Sequence, residues 1–260
     1  MRDIAREAGV SVATVSYVLN DKDDSRISDD TKRKIWQLVN LYNYRINFSA
    51  KCISSGKTDV ITLYIGDNAS SAYKAETMLL IERLSRKLAQ IGYSLQVTFD
   101  KSAKRVTNCD AIVCFNTDNA FFRALGEVNF CPLITLDMVI PNEDLFYQIT
   151  TDCHSIAQKA DARFGKDNWC AVALNPNSDD MKERLLQELI NVSFISDDSP
   201  VHTDCQNVVV LGNMVSEFCL KGHQNVLTID THSDAKVDKV IECIDVAINR
   251  KDALPKDIRI

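Results

Sequence analysis

Residues 3–21 read DIAREAGVSVATVSYVLND, and this stretch decides the fold of the N-terminal part. Residues 2–8 have helical spacing, with Ile4, Ala5 and Ala8 on one face. Gly9 follows, a residue free to adopt the left-handed conformation that ends a helix. Val10 is apolar, and Ser11 is a good N-cap for a second helix over residues 12–19, with Val15 and Val18 facing inward. Asn20 ends it. Two short helices thus meet across a three-residue turn, with Ala5, Gly9 and Val15 where they cross, and residue 5 is small because the second helix packs on it. This is a helix-turn-helix pattern, whose second helix projects from the body and fits the major groove of DNA. Ser28 then caps a third helix over residues 29–42, with Asp29 and Asp30 in the first turn, as the helix dipole favours. Ile35, Leu38, Val39 and Tyr42 form its apolar stripe, and Lys32, Arg33 and Lys34 crowd its start.

The charge follows the same division. Residues 1–58 hold ten Lys/Arg and seven Asp/Glu, whereas the chain as a whole has a formal net charge of −6. A basic module on an acidic body suits an N-terminus that meets a polyanion. The 260 residues, 45% hydrophobic and 25% charged, exclude a collagen, a low-complexity tail or a disordered chain. No apolar run approaches 18 residues, which excludes a transmembrane helix, and Arg2, Asp3 and Arg6 stand where a secretory signal needs apolar residues. A cytoplasmic location is expected, with no membrane partner. Nine cysteines, none in a C-x-x-C pair, read as small buried hydrophobes. Cys219 and His223 lie four apart, but two ligands make no zinc site. No metal and no cofactor is expected.

DIAREAGVSVATVSYVLND, followed by ISDDTKRKIWQLVNLYNYRIN over residues 27–47 and SAKCISSGKT over residues 49–58, closely resembles the N-terminus of the lactose/galactose-repressor (LacI/GalR) family of bacterial transcription regulators. The resemblance implies a three-helix headpiece over residues 1–45, a hinge helix and linker over 46–58, and a two-lobed effector and dimerisation domain over 59–260. It implies that Val12, Ala13 and Tyr17 read bases, and that Ser11, Thr14, Ser16 and Asn20 contact phosphates or the groove rim. Arg45 joins the DNA-binding set, Ala50 and Lys51 match the hinge helix's usual Ala-Arg pair, and Ile53 stands where a leucine wedges into the minor groove. Three departures stand out. Tyr17 replaces a commoner Arg or His, which removes a bidentate guanine contact. Ile46 replaces a proline before the hinge. Met1 opens the chain without the family's Thr-containing leader.

Residues 59–260 alternate strands with helices, the pattern of parallel sheets covered on both faces. Strands are expected at 60–65, 93–99, 111–115, 133–136, 169–174, 193–195, 207–211 and 226–229. Helices are expected at 72–91, 120–125, 154–164, 179–190, 214–220 and 237–249. In the first of these, Met78, Ile81, Leu84, Leu88 and Ile91 form the apolar stripe. A change of segment near residues 146–152 marks a second lobe, and the α/β part resembles the two-lobed periplasmic-binding-protein fold. This part is shorter than the family's effector domain. Residues 101–109 and 196–206 are each too short for the usual crossover helix. The resemblance implies that Arg184 and Asn213 touch an effector, although Arg184 reads equally as a surface helix residue and the Asp that follows the asparagine in relatives is Met214 here.

No G-x-G-x-x-G, P-loop, G-x-S-x-G or H-E-x-x-H is present, so an enzyme is not expected. The reading is a sequence-specific DNA-binding regulator, a repressor, acting as a homodimer on a pseudo-palindromic double-stranded operator, with a small-molecule effector left open. The alternative is a small-molecule sensor with a vestigial headpiece. Candidate dimer surfaces are the lobe faces near residues 72–91 and 214–220.

Overall fold

In a computed structural model, residues 1–19, 27–41, 57–99, 102–141, 146–197, 199, 205–219, 225–251 and 254–260 are described. Two compact units share the chain, Met1–Gly56 and Lys57–Ile260.

The first unit is helical: α1 (Arg2–Ala8), α2 (Val12–Leu19) and α3 (Asp29–Leu41). Gly9 stops α1 at φ 75°, and its N–H donates to Arg6 O while Val10 N–H reaches Ala5 O at 3.0 Å. These two bonds satisfy the last carbonyls of the helix. Ser11 and Ser28 then start α2 and α3 alike: each Oγ accepts from the backbone N–H three residues on, at Thr14 and Thr31, and pairs with that threonine's hydroxyl at 2.9 Å. Ile4, Ala5, Val15, Val18, Leu19, Ile35 and Val39 close into one core. At 3% exposure, Ala5 leaves no room for a larger side chain.

The second unit carries two parallel sheets. Its elements run β1 (Val60–Ile65), α4 (Ser71–Gln90), β2 (Ser94–Thr98), β3 (Ala111–Phe115), α5 (Asn119–Val128), β4 (Leu133–Leu136) and β5 (Tyr147–Thr150). They continue through α6 (Cys153–Phe164), β6 (Cys170–Leu174), α7 (Asp179–Glu188), β7 (Ser193–Ile195), β8 (Asn207–Leu211) and α8 (Asn213–Cys219), then β9 (Asn225–Ile229), α9 (Asp234–Ile248) and β10 (Asp257–Arg259). The first sheet has the order β10-β5-β4-β3-β1-β2 and the second β7-β6-β8-β9. All pairings are parallel, with Ile61 opposite Ala111 and Val208 opposite Cys170. Central strands buried on both faces explain why VITLYI and AIVCF read as unbroken apolar runs.

Helices α4 and α9 cover one face of the first sheet, where Leu80, Leu84 and Leu88 meet Val237, Val240 and Ile244, and α5 covers the other through Phe122 and Leu125. In the second lobe α6 and α7 pack on one face and Val215 of α8 on the opposite one. The chain leaves the first lobe once, after β5, and returns once, after β9. The last helix and β10 therefore belong to the first lobe, a return that the sequence pattern conceals.

Three expectations need correcting. The inward stripe of α4 is Tyr73, Leu80, Leu84 and Leu88, with Glu76 and Thr77 buried beside it, whereas Met78 is 61% and Ile91 49% exposed. The helix has two buried faces, because it also packs on α8 of its own chain, joined by Glu76 Oε1 accepting from Met214 N–H. For the same reason, the two faces expected to meet a second copy are in part turned toward each other. Strands β5 and β10 are additional to the sequence reading. No helix intervenes between β2 and β3 among the described residues, as the shortened 101–109 segment implies.

Candidate nucleic-acid interface

The Ser11 cap and the buried Val15, Val18 and Leu19 fix which way α2 faces. Residues one turn apart on the other side are left outward: Val12 is 43% and Tyr17 42% exposed, Ala13 is exposed and Ser16 half-buried. Ser11 is exposed and Thr14 half-buried, their hydroxyls holding each other at 2.9 Å at the helix start. This surface offers two small apolar side chains for thymine methyl groups and hydroxyls for groove edges or phosphates. It carries no guanidinium or amide fork. Positive charge comes from α3 instead. Lys34 Nζ donates to Ala8 O at 3.3 Å, which ties α3 to the end of α1, and Arg33 pairs with Asp30 at 3.3 Å on an exposed surface. Asn20, Arg45, Ile46, Ala50, Lys51 and Ile53, and with them the expected hinge helix, lie outside the described residues.

Between the lobes of the second unit the strand ends face one another. A small cavity of about 80 Å³ is lined by Tyr73, Phe115, Asn116, Asp137, Thr151 and His232 from the first lobe and its crossings, and by Met181, Leu185 and Leu211 from the second. Asn177 closes one side: its N–H donates to Asn116 Oδ1 at 2.9 Å and its Nδ2 to Asn116 O at 2.7 Å. Arg184 is not in this lining. Its guanidinium donates to Thr150 Oγ1 at 3.1 Å and lies 3.6 Å from Asp257, so α7 is tied to the ends of β5 and β10. Asn213 starts α8, outside the cavity.

Sequence reasoning missed the polar cluster where the chain crosses between lobes. Lys236 Nζ, at the start of α9, donates to Asp137 Oδ1 and, at 2.8 Å, to Thr151 Oγ1. Asp137 and Thr151 follow the carboxyl ends of β4 and β5, and Lys236 is 2% exposed. His232 is buried against the edge of Phe115, its Nδ1 3.8 Å from Asp137 Oδ2. Burial pushes its pKa down to about 4, with Lys236 adding to the effect and Asp137 opposing it. Arg83 braces the same crossing through both carboxylate oxygens of Asp230, at 2.7 and 3.0 Å. A lysine one turn inside a helix and an aspartate a hundred positions earlier leave no local signal of their pairing.

Residues 1–47 match the model of the lacI family of bacterial regulatory proteins. Among curated proteins, the chain is 31% identical over 109 residues to the HTH-type transcriptional regulator MalR of Streptococcus pneumoniae, which is 42% of this chain and 33% of MalR. It is 30% identical over 164 residues to the fructose operon regulatory protein of Vibrio cholerae, 58% of this chain and 49% of that one. The matches thus span about a fifth to a half of the length of the curated relatives. Of solved structures, the lac repressor dimer bound to operator and the anti-inducer ONPF superposes with a TM-score of 0.57 at 13% identity, over 99% of this chain and 94% of that one. The transcriptional regulator CelR in complex with cellobiose gives 0.52 at 14%, over 99% and 95%. At such identities the likeness is one of fold, and that fold is a helical N-terminal region followed by a parallel-sheet α/β domain.

Proposed function

Starting from a chain whose first 47 residues belong to the lacI family of bacterial regulatory proteins, we propose that it is a sequence-specific DNA-binding transcription regulator that represses from a pseudo-palindromic operator as a homodimer. The exposed face of α2, held outward by the Ser11 cap and the buried Val15 and Val18, carries the reading. On it Val12, Ala13 and Tyr17 read base edges by apolar and hydroxyl contacts. Ser11, Thr14, Ser16 and Asn20 meet phosphates or the groove rim, Arg45 meets phosphate, and Ala50, Lys51 and Ile53 act in the hinge, with Ile53 as the minor-groove wedge. One headpiece covers a half-site, so symmetry of the operator asks for two copies. The named relatives are regulators, which favours a non-enzyme. No helix among the described residues is long and apolar enough to cross a membrane, and it is as a DNA-binding regulator that the protein would act in the cytoplasm.

Effector control would act through the space between the lobes of the second unit. Between the lobes lie a cavity of about 80 Å³ and another of about 370 Å³, the latter lined by Gly66, Asp67, Thr117 and Asp118 of the first lobe and Asn177 of the second, and ligand pockets typically run to several hundred Å³. Arg184, bonded to Thr150 Oγ1, ties α7 of the second lobe to the end of β5 in the first. The test is fluorescence anisotropy of the full chain on a duplex selected from a randomised library. Affinity should fall about a hundred-thousandfold between 50 and 200 mM salt, since each of the two copies brings Lys32, Arg33, Lys34, Arg45 and Lys51 to phosphates. Equal affinity for selected and random duplexes would point to the vestigial headpiece instead.

A further inference from the structure

Two cysteines meet at the feet of neighbouring strands. Cys109 precedes β3 and Cys131 precedes β4, and their sulfurs are 3.5 Å apart. The two loops are already joined by Ile112 N–H donating to Pro132 O at 2.9 Å. Both thiols are half-buried, whereas Cys114, Cys153, Cys170 and Cys243 are buried. Cys131 lines a surface depression together with Arg123, Glu127, Lys251 and Lys256, and its hydrogen bond with Cys109 and burial push its own thiol up, so it stays protonated as the partner of Cys109. The next residue, Asp110, clamps the start of the second unit: its carboxylate accepts from Thr58 N–H at 2.7 Å, Thr58 Oγ1 at 2.9 Å and Asp59 N–H at 2.9 Å. These are the residues at which the chain arrives from the headpiece.

We propose that Cys109 and Cys131 are a peroxide-sensitive pair whose reversible disulfide loosens the Asp110 clamp. The Cys131 hydrogen bond lowers the pKa of the Cys109 thiol below its ordinary value, which makes Cys109 the attacking sulfur. Its thiolate attacks hydrogen peroxide: an S–O bond forms, the O–O bond breaks, and hydroxide leaves to become water. The Cys131 sulfur then attacks Cys109 Sγ, forming the S–S bond and expelling hydroxide, which takes up the Cys131 proton as a second water. The two thiols lose two electrons and peroxide gains them. A dithiol reductant reverses the step by exchange. Bonding requires the sulfurs to close from 3.5 Å to about 2.05 Å, and Asp110 moves with its neighbour.

The full chain is treated with hydrogen peroxide, then alkylated and digested. A cross-linked peptide joining residues 109 and 131, reversed by dithiothreitol, is expected, and Cys109→Ser and Cys131→Ser each abolish it. In Cys131→Ser, a sulfenic acid at Cys109, trapped by a 1,3-dione, should accumulate. Backbone amide exchange at Thr58 and Asp59 should quicken about tenfold in the oxidised protein. Full alkylation of both thiols after peroxide, with both variants folded, overturns the pair. A cross-link with unchanged exchange at Thr58 and Asp59 overturns its action on the clamp. Neither readout depends on what the headpiece binds.

Discussion

Replacing Lys236 by methionine removes one charge from the cluster at the lobe crossing and nearly keeps its volume. Lys236 has a 3% exposed side chain, and its ammonium is held by Asp137 and Thr151. Asp137, 17% exposed, would then face a neutral His232 and the Thr151 hydroxyl with no cation in contact. Breaking one partner of such a buried pair costs about 3–5 kcal/mol, because the other charge is left without compensation. For a unit of this size each kcal/mol moves the melting temperature by roughly 2–4 °C, so Lys236→Met should melt about 10 °C below the parent. Removing the second charge as well, in Lys236→Met/Asp137→Asn, should recover most of that loss, since the uncompensated carboxylate is gone. Scanning calorimetry of the full chain, read on the transition of the second unit, gives both numbers. A single variant melting within about 2 °C of the parent, or a double variant as unstable as the single, would refute the argument that charge compensation and not stem packing holds this crossing.

Other consequences can be checked separately. His232 takes up a proton near pH 6.5 when unfolded but only near pH 4 when folded, so falling pH favours the unfolded chain across that window. Stability should drop by about 1.4 kcal/mol per pH unit from 6.5 toward 4, and His232→Phe should flatten the curve; an equally steep curve in the variant assigns it to other groups. Ala5→Leu should overpack the headpiece core by about 1–3 kcal/mol and melt the first unit selectively, seen as a shift in that unit's transition only; a simultaneous shift in the second unit would contradict the division at Gly56. Tyr17→Ala should change the consensus selected from random duplexes while leaving affinity for unselected DNA nearly constant. An unchanged consensus would remove Tyr17 from the readers.

Legibility followed the range of the interactions. The turn from α1 to α2 is written within ten residues, because Gly9 must take φ 75° and Ser11 must offer an oxygen to Thr14 N–H, and both requirements show in residue type. Central parallel strands show as solid apolar runs because both faces are covered. The stripe of α4 misled, since a helix rich in Leu, Ile and Met supports two registers of three-and-four spacing and only the tertiary partners, the first sheet, α9 and α8, select between them. The cluster at the lobe crossing was illegible: Asp137, His232 and Lys236 are ordinary polar residues until the topology brings strand ends beside the start of α9. Likewise Arg184 carried a family role, but its guanidinium meets Thr150 and Asp257, neither adjacent in sequence.

The interrupted first lobe dictates an order of assembly during synthesis on the ribosome. Its sheet begins at β1 but takes α9 and β10 only after all of α6 to β9 has been made. The headpiece is local, and the second lobe is one uninterrupted stretch, so each has its complete set of strands and helices early. Until α9 emerges, Ile134, Ile149 and their neighbours on one face of the first sheet lack the Val237, Val240 and Ile244 layer that buries them. The outer edge of β5 meanwhile waits for β10 with its backbone groups unpaired. A nascent chain paused between β9 and α9 therefore displays an open sheet edge beside bare apolar surface, the combination that recruits chaperones and seeds aggregation. The few residues of β10 seal that edge last.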